Sequence, residues 1–210
     1  MPLPTNPIVS ACQAIAQRSD LAIADLMAVV RGLHLSDETI AALQHPDPSQ
    51  PYGRRVLLET PQLEVMVATW TPGMPCAPHD HGGQRGVVLV LRGASMHRMW
   101  QFHDGQAQCT GEHTAQCGDV LVVAPETVHS MESADPSTPL ITLHLYTQTI
   151  PHMVVYDLPN NQTLLVSGNC GAWVPSMSSG LLLHRRDGLW GRAAFNDWLA
   201  EQPDSAPAVD

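Results

Sequence analysis

Two histidines one residue apart are the side chains of this chain best placed to do chemistry, in the segment CAPHDHGGQRG (76–86). In a strand, successive side chains alternate between faces, so His79 and His81 would point one way and Asp80 the other. Two neutral imidazoles on one face can bind the same transition-metal ion. In a chain with 11 histidines the spacing alone is a weak signal. The flanking residues must therefore show whether this pair is part of a metal site or a chance occurrence.

The residues around this pair extend the pattern. They follow the spacing G-x5-H-x-H-x4-G-x6-G, which is filled by Gly73, His79, His81, Gly86 and Gly93. A second segment, GDVLVVAPETVHSMES (118–133), has the form G…P-x3-H-x3-S and contains His129. Together the two segments resemble the two motifs of the cupins, small double-stranded β-helix barrels with metal ligands inside the barrel mouth. The resemblance implies a facial set of three ligands, His79, His81 and His129.

Position 86 distinguishes this chain from many cupins, which keep a glutamate ligand there. Gly86 offers no ligand and neither does Arg85, so the resemblance implies a metal site without a carboxylate. Three neutral imidazoles leave a divalent ion with its full positive charge, which suits an anionic thiolate and a reduced oxygen species. A facial triad also leaves positions open for a bidentate substrate and O2.

Two further segments narrow the resemblance, YGRRVLLE (52–59) and TLHLYTQTIPHMVVYD (142–157). They resemble the Y-x-R and S/T-x-H-x-Y segments of cysteine dioxygenase, the thiol-oxidising branch of the cupins. The matching residues are Tyr52, Arg54, Thr142, His144 and Tyr146. This resemblance implies Fe(II) as the cofactor and O2 as a co-substrate.

Each residue carried over in this way has a physical reason for its role. Arg54 could hold a substrate carboxylate bidentately, or could simply pair with an acidic side chain. Thr142, His144 and Tyr146 alternate along one strand, so a relay from hydroxyl to imidazole to phenol is possible. Tyr146 would then donate a hydrogen bond to bound oxygen or to substrate. Animal members carry a cysteine, cross-linked to the tyrosine, in place of Gly86; the glycine predicts an unmodified Tyr146.

The substrate implied by the resemblance is a small thiol, with cysteine oxidised to cysteine sulfinate. Three further side chains are expected to line its pocket: Tyr52, Trp70 and Met153. Arg54 favours cysteine, because the mercaptopropionate branch tends to carry glutamine there. The alternative substrates are 3-mercaptopropionate and mercaptosuccinate, for which Arg185 or Arg186 could supply extra cations. A cupin isomerase or hydrolase with zinc or manganese, or a non-enzymatic ligand-binding cupin, is the alternative outside this class.

The elements that must position these side chains are predicted to form one domain. Residues 1–45 have apolar positions at helical spacing, and Ser36 can cap a short helix through Leu43, which predicts an N-terminal helical cap. In 46–167, short runs rich in Val, Leu, Ile and Thr alternate with turns, which is typical of a mainly β, jelly-roll-like barrel. Residues 168–210 are expected to form a C-terminal extension and a disordered tail. Three histidines are expected to be ordinary strand or surface residues: His97, His103 and His113.

Composition excludes several classes of partner. The formal net charge of −10 argues against nucleic acid and anionic membranes, which require basic surfaces. Five cysteines with no C-x-x-C pair argue against a disulfide framework or a structural zinc site. No apolar run approaches the ~20 residues that cross a bilayer, and the N-terminus does not read as a signal peptide. We therefore expect a cytoplasmic protein. The resemblance to cysteine dioxygenase implies that its partner is a small-molecule thiol, and we expect a monomer or a small homo-oligomer.

Overall fold

The computed structural model describes residues 6–103 and 105–202. From position 203 onward, the predicted disordered tail lies outside the described residues. The helices are α1 (Pro7–Gln13), α2 (Ile23–Gly32), α3 (Asp37–Leu43) and α4 (Arg192–Ala200). The strands are β1 (Tyr52–Thr60), β2 (Leu63–Trp70), β3 (Gly86–Arg92), β4 (Ala94–His103), β5 (Gln106–Gln116), β6 (Val120–Val123), β7 (His129–Ser133), β8 (Ile141–Tyr146), β9 (His152–Asp157), β10 (Gln162–Ser167) and β11 (Leu182–Asp187).

The strands form two antiparallel layers that face each other. One layer is a five-stranded sheet in the order β1-β2-β8-β3-β6. The other consists of β5-β4-β7 and β11-β10-β9. His79 joins its two parts, because it pairs with His129 of β7 on one side and with Val155 of β9 on the other. This arrangement is a double-stranded β-helix barrel, so the predicted fold class is confirmed.

Both faces of the three central strands of the five-stranded sheet, β2, β8 and β3, are buried, and alternation along β8 shows why. Ile141, Leu143 and Leu145 pack with the helical residues in one apolar cluster. The residues between them, Thr142, His144 and Tyr146, are also buried and lie on the opposite, inward face. A strand that is covered on both sides must be apolar on its outer face, and polar residues on its inner face require partners.

The predicted helical cap is present as α1, α2 and α3. Ser36 begins α3 as predicted, because its Oγ accepts from the backbone N–H of Thr39 at 3.2 Å. Asn6 begins α1 in the same way and accepts from the N–H of Ile8 at 2.9 Å. The helices are short, so their stability must come mainly from the apolar faces that they bury against the sheet.

The C-terminal extension is built into the barrel. Its strand β11 pairs with β10 and completes one part of the second layer. Within the extension, the backbone N–H of Ala172 donates to the hydroxyl of Tyr52 at 2.8 Å. In the described part of the chain, no helix has the length and apolar character needed to cross a bilayer.

Candidate metal centre and its cavity

Backbone pairing brings the three predicted ligands together. The N–H of His79 donates to the carbonyl of His129 at 2.9 Å, and the N–H of His129 donates back at 3.0 Å. Their ring centroids are 4.8 Å apart, and the ring of His81 lies 4.9 and 5.0 Å from the other two. One candidate ligand atom from each residue lies within 4.8 Å of the other two, and all three residues are buried. Within 6–103 and 105–202 this is the one such cluster.

The protonation of this cluster fits a divalent metal ion. Nδ1 of His79 lies 3.0 Å from the carbonyl oxygen of Ala77, which can only accept, so Nδ1 carries the proton and Nε2 is free to ligate. Nδ1 of His81 is buried and has no hydrogen-bond partner among the described residues. Burial lowers the pKa of His79, and lowers those of His81 and His129 well below the usual value. All three rings are therefore neutral near pH 7, as metal ligands must be, and the site can bind a metal.

Asp80 points away from this cluster and holds the loop in place. Its Oδ1 accepts from the N–H groups of Gly82 and Val154, both at 3.0 Å. Its Oδ2 accepts from Nη1 of Arg192 in α4 at 2.6 Å. Because its carboxylate is fully engaged, Asp80 is not available as a ligand. The cluster is therefore made of histidines alone.

A narrow cavity lies directly over the histidines. It has about 30 Å³ of free space for water-sized molecules, so it suits a small ligand. Six of the seven predicted catalytic or substrate-binding residues line it: Tyr52, Arg54, Trp70, His144, Tyr146 and Met153. Thr142 lies behind this wall and is fully buried. The lining also contains residues that the sequence did not suggest: Glu64, Met66, Met131, Ile150, Gly168 and Cys170.

Thr142, His144 and Tyr146 form a hydrogen-bonded chain that begins at Trp70. The indole Nε1 of Trp70 can only donate, and it donates to Oγ1 of Thr142 at 2.9 Å. The buried Thr142 hydroxyl has Nε2 of His144 at 2.8 Å as its acceptor, and no other acceptor is in reach among the described residues. Trp70 therefore does more than line the cavity: because it donates to Thr142, the Thr142 hydroxyl must donate to His144.

The protonation state of His144 fixes the remaining direction. Burial lowers its pKa to about 3, so the ring is neutral and carries one proton. Because Nε2 accepts, that proton is on Nδ1, which donates to the hydroxyl oxygen of Tyr146 at 3.2 Å. Burial also raises the pKa of Tyr146 well above its usual range, so the phenol keeps its own proton. That proton is left for a ligand in the cavity.

Arg54 is paired with a buried carboxylate. Its Nη2 donates to Oε1 of Glu64 at 2.5 Å, Nη1 donates to the carbonyl of Gly168 at 2.8 Å, and Nε contacts Sδ of Met66 at 3.2 Å. Glu64 is 1% exposed, and its Oε2 accepts from the N–H of Ile150 at 3.1 Å. These contacts use three of the five N–H groups of a guanidinium. Two remain for a ligand, and the pair as a unit carries little net charge.

The other predicted substrate-binding side chains form the walls of the cavity. The Tyr52 hydroxyl is engaged by Ala172, and its ring packs on Trp70 at 4.8 Å and on Trp173 at 5.3 Å. From the C-terminal extension, Gly168 and Cys170 reach the cavity, whereas Arg185 and Arg186 do not line it. The guanidinium of Arg186 instead stacks on Trp190, 3.6 Å from the ring centroid.

Gly86 touches the ring of Tyr146, the residue opposite it in the β3–β8 pairing. A Cβ placed on Gly86 would lie 2.4 Å from Cδ1 of that ring and 2.7 Å from the carbonyl oxygen of Leu145. Real Cβ atoms essentially never approach another atom so closely. The tyrosine therefore occupies the space that any side chain at position 86 would need.

His97 lies in a strand, β4, as the sequence predicts, and its side chain is buried. It lies on the inward face of β4 and is 2% exposed. Its ring stacks on that of His113 at 5.0 Å and lies 5.6 Å from that of His129. Its Nε2 has no hydrogen-bond partner among the described residues. His113 is exposed, as expected.

These observations determine the fold class, since two facing antiparallel sheets carry three histidines from two motifs into the barrel. The fold is a cupin barrel. Solved structures with the same architecture include an uncharacterized protein with a double-stranded beta-helix domain from Klebsiella pneumoniae, at 20% identity over 58% of this chain and 95% of that chain, with a TM-score of 0.43. An RmlC-like cupin from Desulfovibrio desulfuricans is 17% identical over 54% of this chain and 97% of that chain, with a TM-score of 0.42.

Enzymes also occur among the similar structures. A recombinant oxalate oxidase in complex with glycolate is 16% identical over 53% of this chain and 59% of that chain, with a TM-score of 0.43. No protein-family model matches the chain. At these identities the likeness concerns the barrel alone, so function must be argued from the side chains of the site.

Proposed function

We propose that this protein is a non-haem iron(II) thiol dioxygenase that converts cysteine to cysteine sulfinate. The observation that carries the proposal is the shared cavity: three neutral histidines, a guanidinium and a protonated phenol all face the same small space. The reaction balances as one thiol plus one O2 giving one sulfinic acid, with both oxygen atoms transferred to sulfur. No other oxidant or reductant is required.

His79, His81 and His129 would hold the iron through one nitrogen each. Bound there, Fe(II) would supply the site for the substrate thiolate and the one-electron chemistry that O2 requires. A set of three neutral imidazoles supports this choice, because it contributes no negative charge that would compete with an anionic sulfur ligand.

The chain's own groups would orient the substrate and exclude water. The two free N–H groups of Arg54 would bind the carboxylate, while Glu64 and Gly168 hold the guanidinium in place. The Tyr146 hydroxyl would donate to the oxygen or sulfur that develops negative charge, and it needs no reorientation because His144 already engages its oxygen. Met131 and Met153, which line the cavity, would contribute apolar surface that helps to exclude water during the reaction.

Cysteine is the substrate proposed first, and 3-mercaptopropionate and mercaptosuccinate are the alternatives. A narrow cavity supports the smaller thiols over mercaptosuccinate. A single arginine with two free N–H groups supports one substrate carboxylate rather than two.

The test combines metal analysis with oxygen consumption. Protein reconstituted with Fe(II) without oxygen is mixed with each of the three thiols, O2 uptake is followed, and the product is identified by mass spectrometry. We expect one iron per chain, one O2 per thiol and a mass gain of two oxygen atoms with cysteine. His129→Ala serves as the control that should lose both iron and O2 uptake. Iron-loaded wild-type protein that consumes no O2 with any of the three thiols would overturn the proposal, and zinc or manganese retained instead of iron would favour a non-oxygenase cupin.

A further inference from the structure

A second cavity shares one wall residue, His129, with the first. It has about 320 Å³ of space, and its walls include His97, His113 and His129. An ion in the second cavity would therefore already be beside one residue of the candidate ligand set. The remaining walls are Val88, Met99, Leu121, Val122, Val123 and Thr127.

Strand register explains how three imidazoles come to share this cavity. His97 of β4 pairs directly with His113 of β5. On the other side of β4, Met99 pairs with His129 of β7, so His129 lies diagonally opposite His97. Three adjacent strands thus place a histidine each along one line, with ring centroids 5.0 and 5.6 Å apart.

This line runs from solvent to the metal centre. His113 is exposed, His97 is 2% exposed, and His129 is buried within the candidate ligand set. A buried imidazole nitrogen without a partner is costly, because it has lost its water and gained no hydrogen bond. Nε2 of His97 is such an atom in a wall of this cavity. An electron-pair acceptor that binds Nε2, such as a metal ion, would offset the cost of that missing hydrogen bond.

We propose that this second cavity is the route by which the divalent metal ion enters the barrel, with His113 and then His97 as successive transient ligands before the ion reaches His129. The inference rests on the proposed metal site, but not on the reaction proposed for it. A divalent ion cannot shed its water in an apolar passage unless other ligands replace that water. The imidazoles and the thioether of Met99 supply such ligands, and none of the described residues that line this cavity is an acidic residue, a lysine or an arginine. The first cavity is much smaller, with about 30 Å³ of free space against about 320 Å³ in the second.

The experiment measures the rate at which Co(II) is taken up, with Co(II) as a visible-absorbing substitute for Fe(II). Metal-free protein is mixed with Co(II) in a stopped-flow instrument, and release is followed after adding a strong chelator. The variants are His97→Gln and His113→Gln. His103→Gln is the matched control, because His103 is exposed on the same strand as His97 and does not line the second cavity.

We expect both variants to load about tenfold more slowly, which corresponds to a barrier higher by about 1.4 kcal/mol. Because a route changes rates and not equilibria, release should slow by the same factor, with stoichiometry and affinity unchanged. His113→Gln changes an exposed residue, so it carries the test if His97→Gln does not fold. Unchanged loading in His113→Gln overturns the entry route while leaving the metal site intact. Slower loading combined with faster release also overturns it. That result would mean that the metal binds less tightly, so that His97 and His113 stabilise the bound state and do not form a route to it. Wild-type protein that binds no Co(II) overturns the metal site and the route together.

Discussion

Adding a single methyl group at position 86 should displace the tyrosine proposed to act on the substrate. In Gly86→Ala the new Cβ would lie 2.4 Å from Cδ1 of Tyr146, whereas ordinary contacts of this kind begin at 3.4 Å. The ring or its strand must therefore shift by about 0.6 Å to reach 3.0 Å, the shortest contact that real Cβ atoms show, and by about 1.0 Å to reach an ordinary contact. The carbonyl of Leu145, 2.7 Å from the new atom, belongs to the backbone of β8 and cannot yield easily. Overpacking of this kind costs about 1–3 kcal/mol.

The displacement should affect catalysis as well as stability. The Tyr146 hydroxyl is held by Nδ1 of His144 at 3.2 Å, and a shift of about 1 Å is enough to break a hydrogen bond. We expect a lower urea midpoint and a lower kcat for thiol oxidation, with the metal retained. Two glycines provide matched controls, Gly32→Ala and Gly111→Ala, because no atom of the described residues, apart from the chain neighbours, lies within 4 Å of a Cβ at either position and neither has a positive φ.

A double-mutant cycle decides whether Gly86 acts through the tyrosine. If it does, Gly86→Ala lowers kcat in the wild-type background and has little further effect in Tyr146→Phe. Refutation would come from a Gly86→Ala protein with wild-type stability and kcat. It would also come from a double variant whose loss of kcat equals the product of the two single losses, because the two substitutions would then act independently.

Three further predictions concern the cavity and its buried histidines. Tyr146→Phe should lower kcat about 100-fold while iron stays bound, because one pre-oriented donor is lost; steady-state kinetics and metal analysis check this. Arg54→Lys keeps the charge beside Glu64 but loses the planar fork, so KM for cysteine should rise about tenfold, whereas cysteamine, which has no carboxylate, should be unaffected. Burial lowers the pKa values of His97 and His144 to about 3. The unfolded chain binds these protons below about pH 6.5 and the folded chain does not, so the free energy of unfolding of metal-free protein should fall as the pH drops from about 6.5 towards 3, by up to about 1.4 kcal/mol per pH unit for each group. Urea titrations at several pH values measure this slope, and His97→Gln should reduce it by one proton.

The parts of the site that depend on local periodicity could be predicted from the sequence. Alternation along a strand is enough to place Thr142, His144 and Tyr146 on one face, and to turn Asp80 away from His79. Glu64 could have been found by the same rule, since it alternates with Met66 and Trp70 along β2. A lone acidic residue in an otherwise apolar strand was the available signal.

Contacts that depend on long-range register could not be predicted in this way. The pairing of Arg54 with Glu64 requires the β1–β2 hairpin, and the reach of Gly168 to the guanidinium joins residues 114 positions apart. The position of His97 depends on which strand lies on each side of β4. No local pattern contains that information, so His97 could not be distinguished from a surface histidine.

His79 gives the candidate metal centre a significance beyond chemistry, because the residue that would ligate the ion also links β7 to β9. An ion that binds only the folded chain adds its binding free energy to the free energy of unfolding. Here the bound ion would stabilise the contact between β7 and β9, which belong to the two parts of one layer. Chains without metal should therefore open first along this line, while the five-stranded sheet under its helices stays closed. Opened chains are the ones that cellular proteases cut. The amount of this protein in a cell, and not only its activity, would then follow the supply of metal.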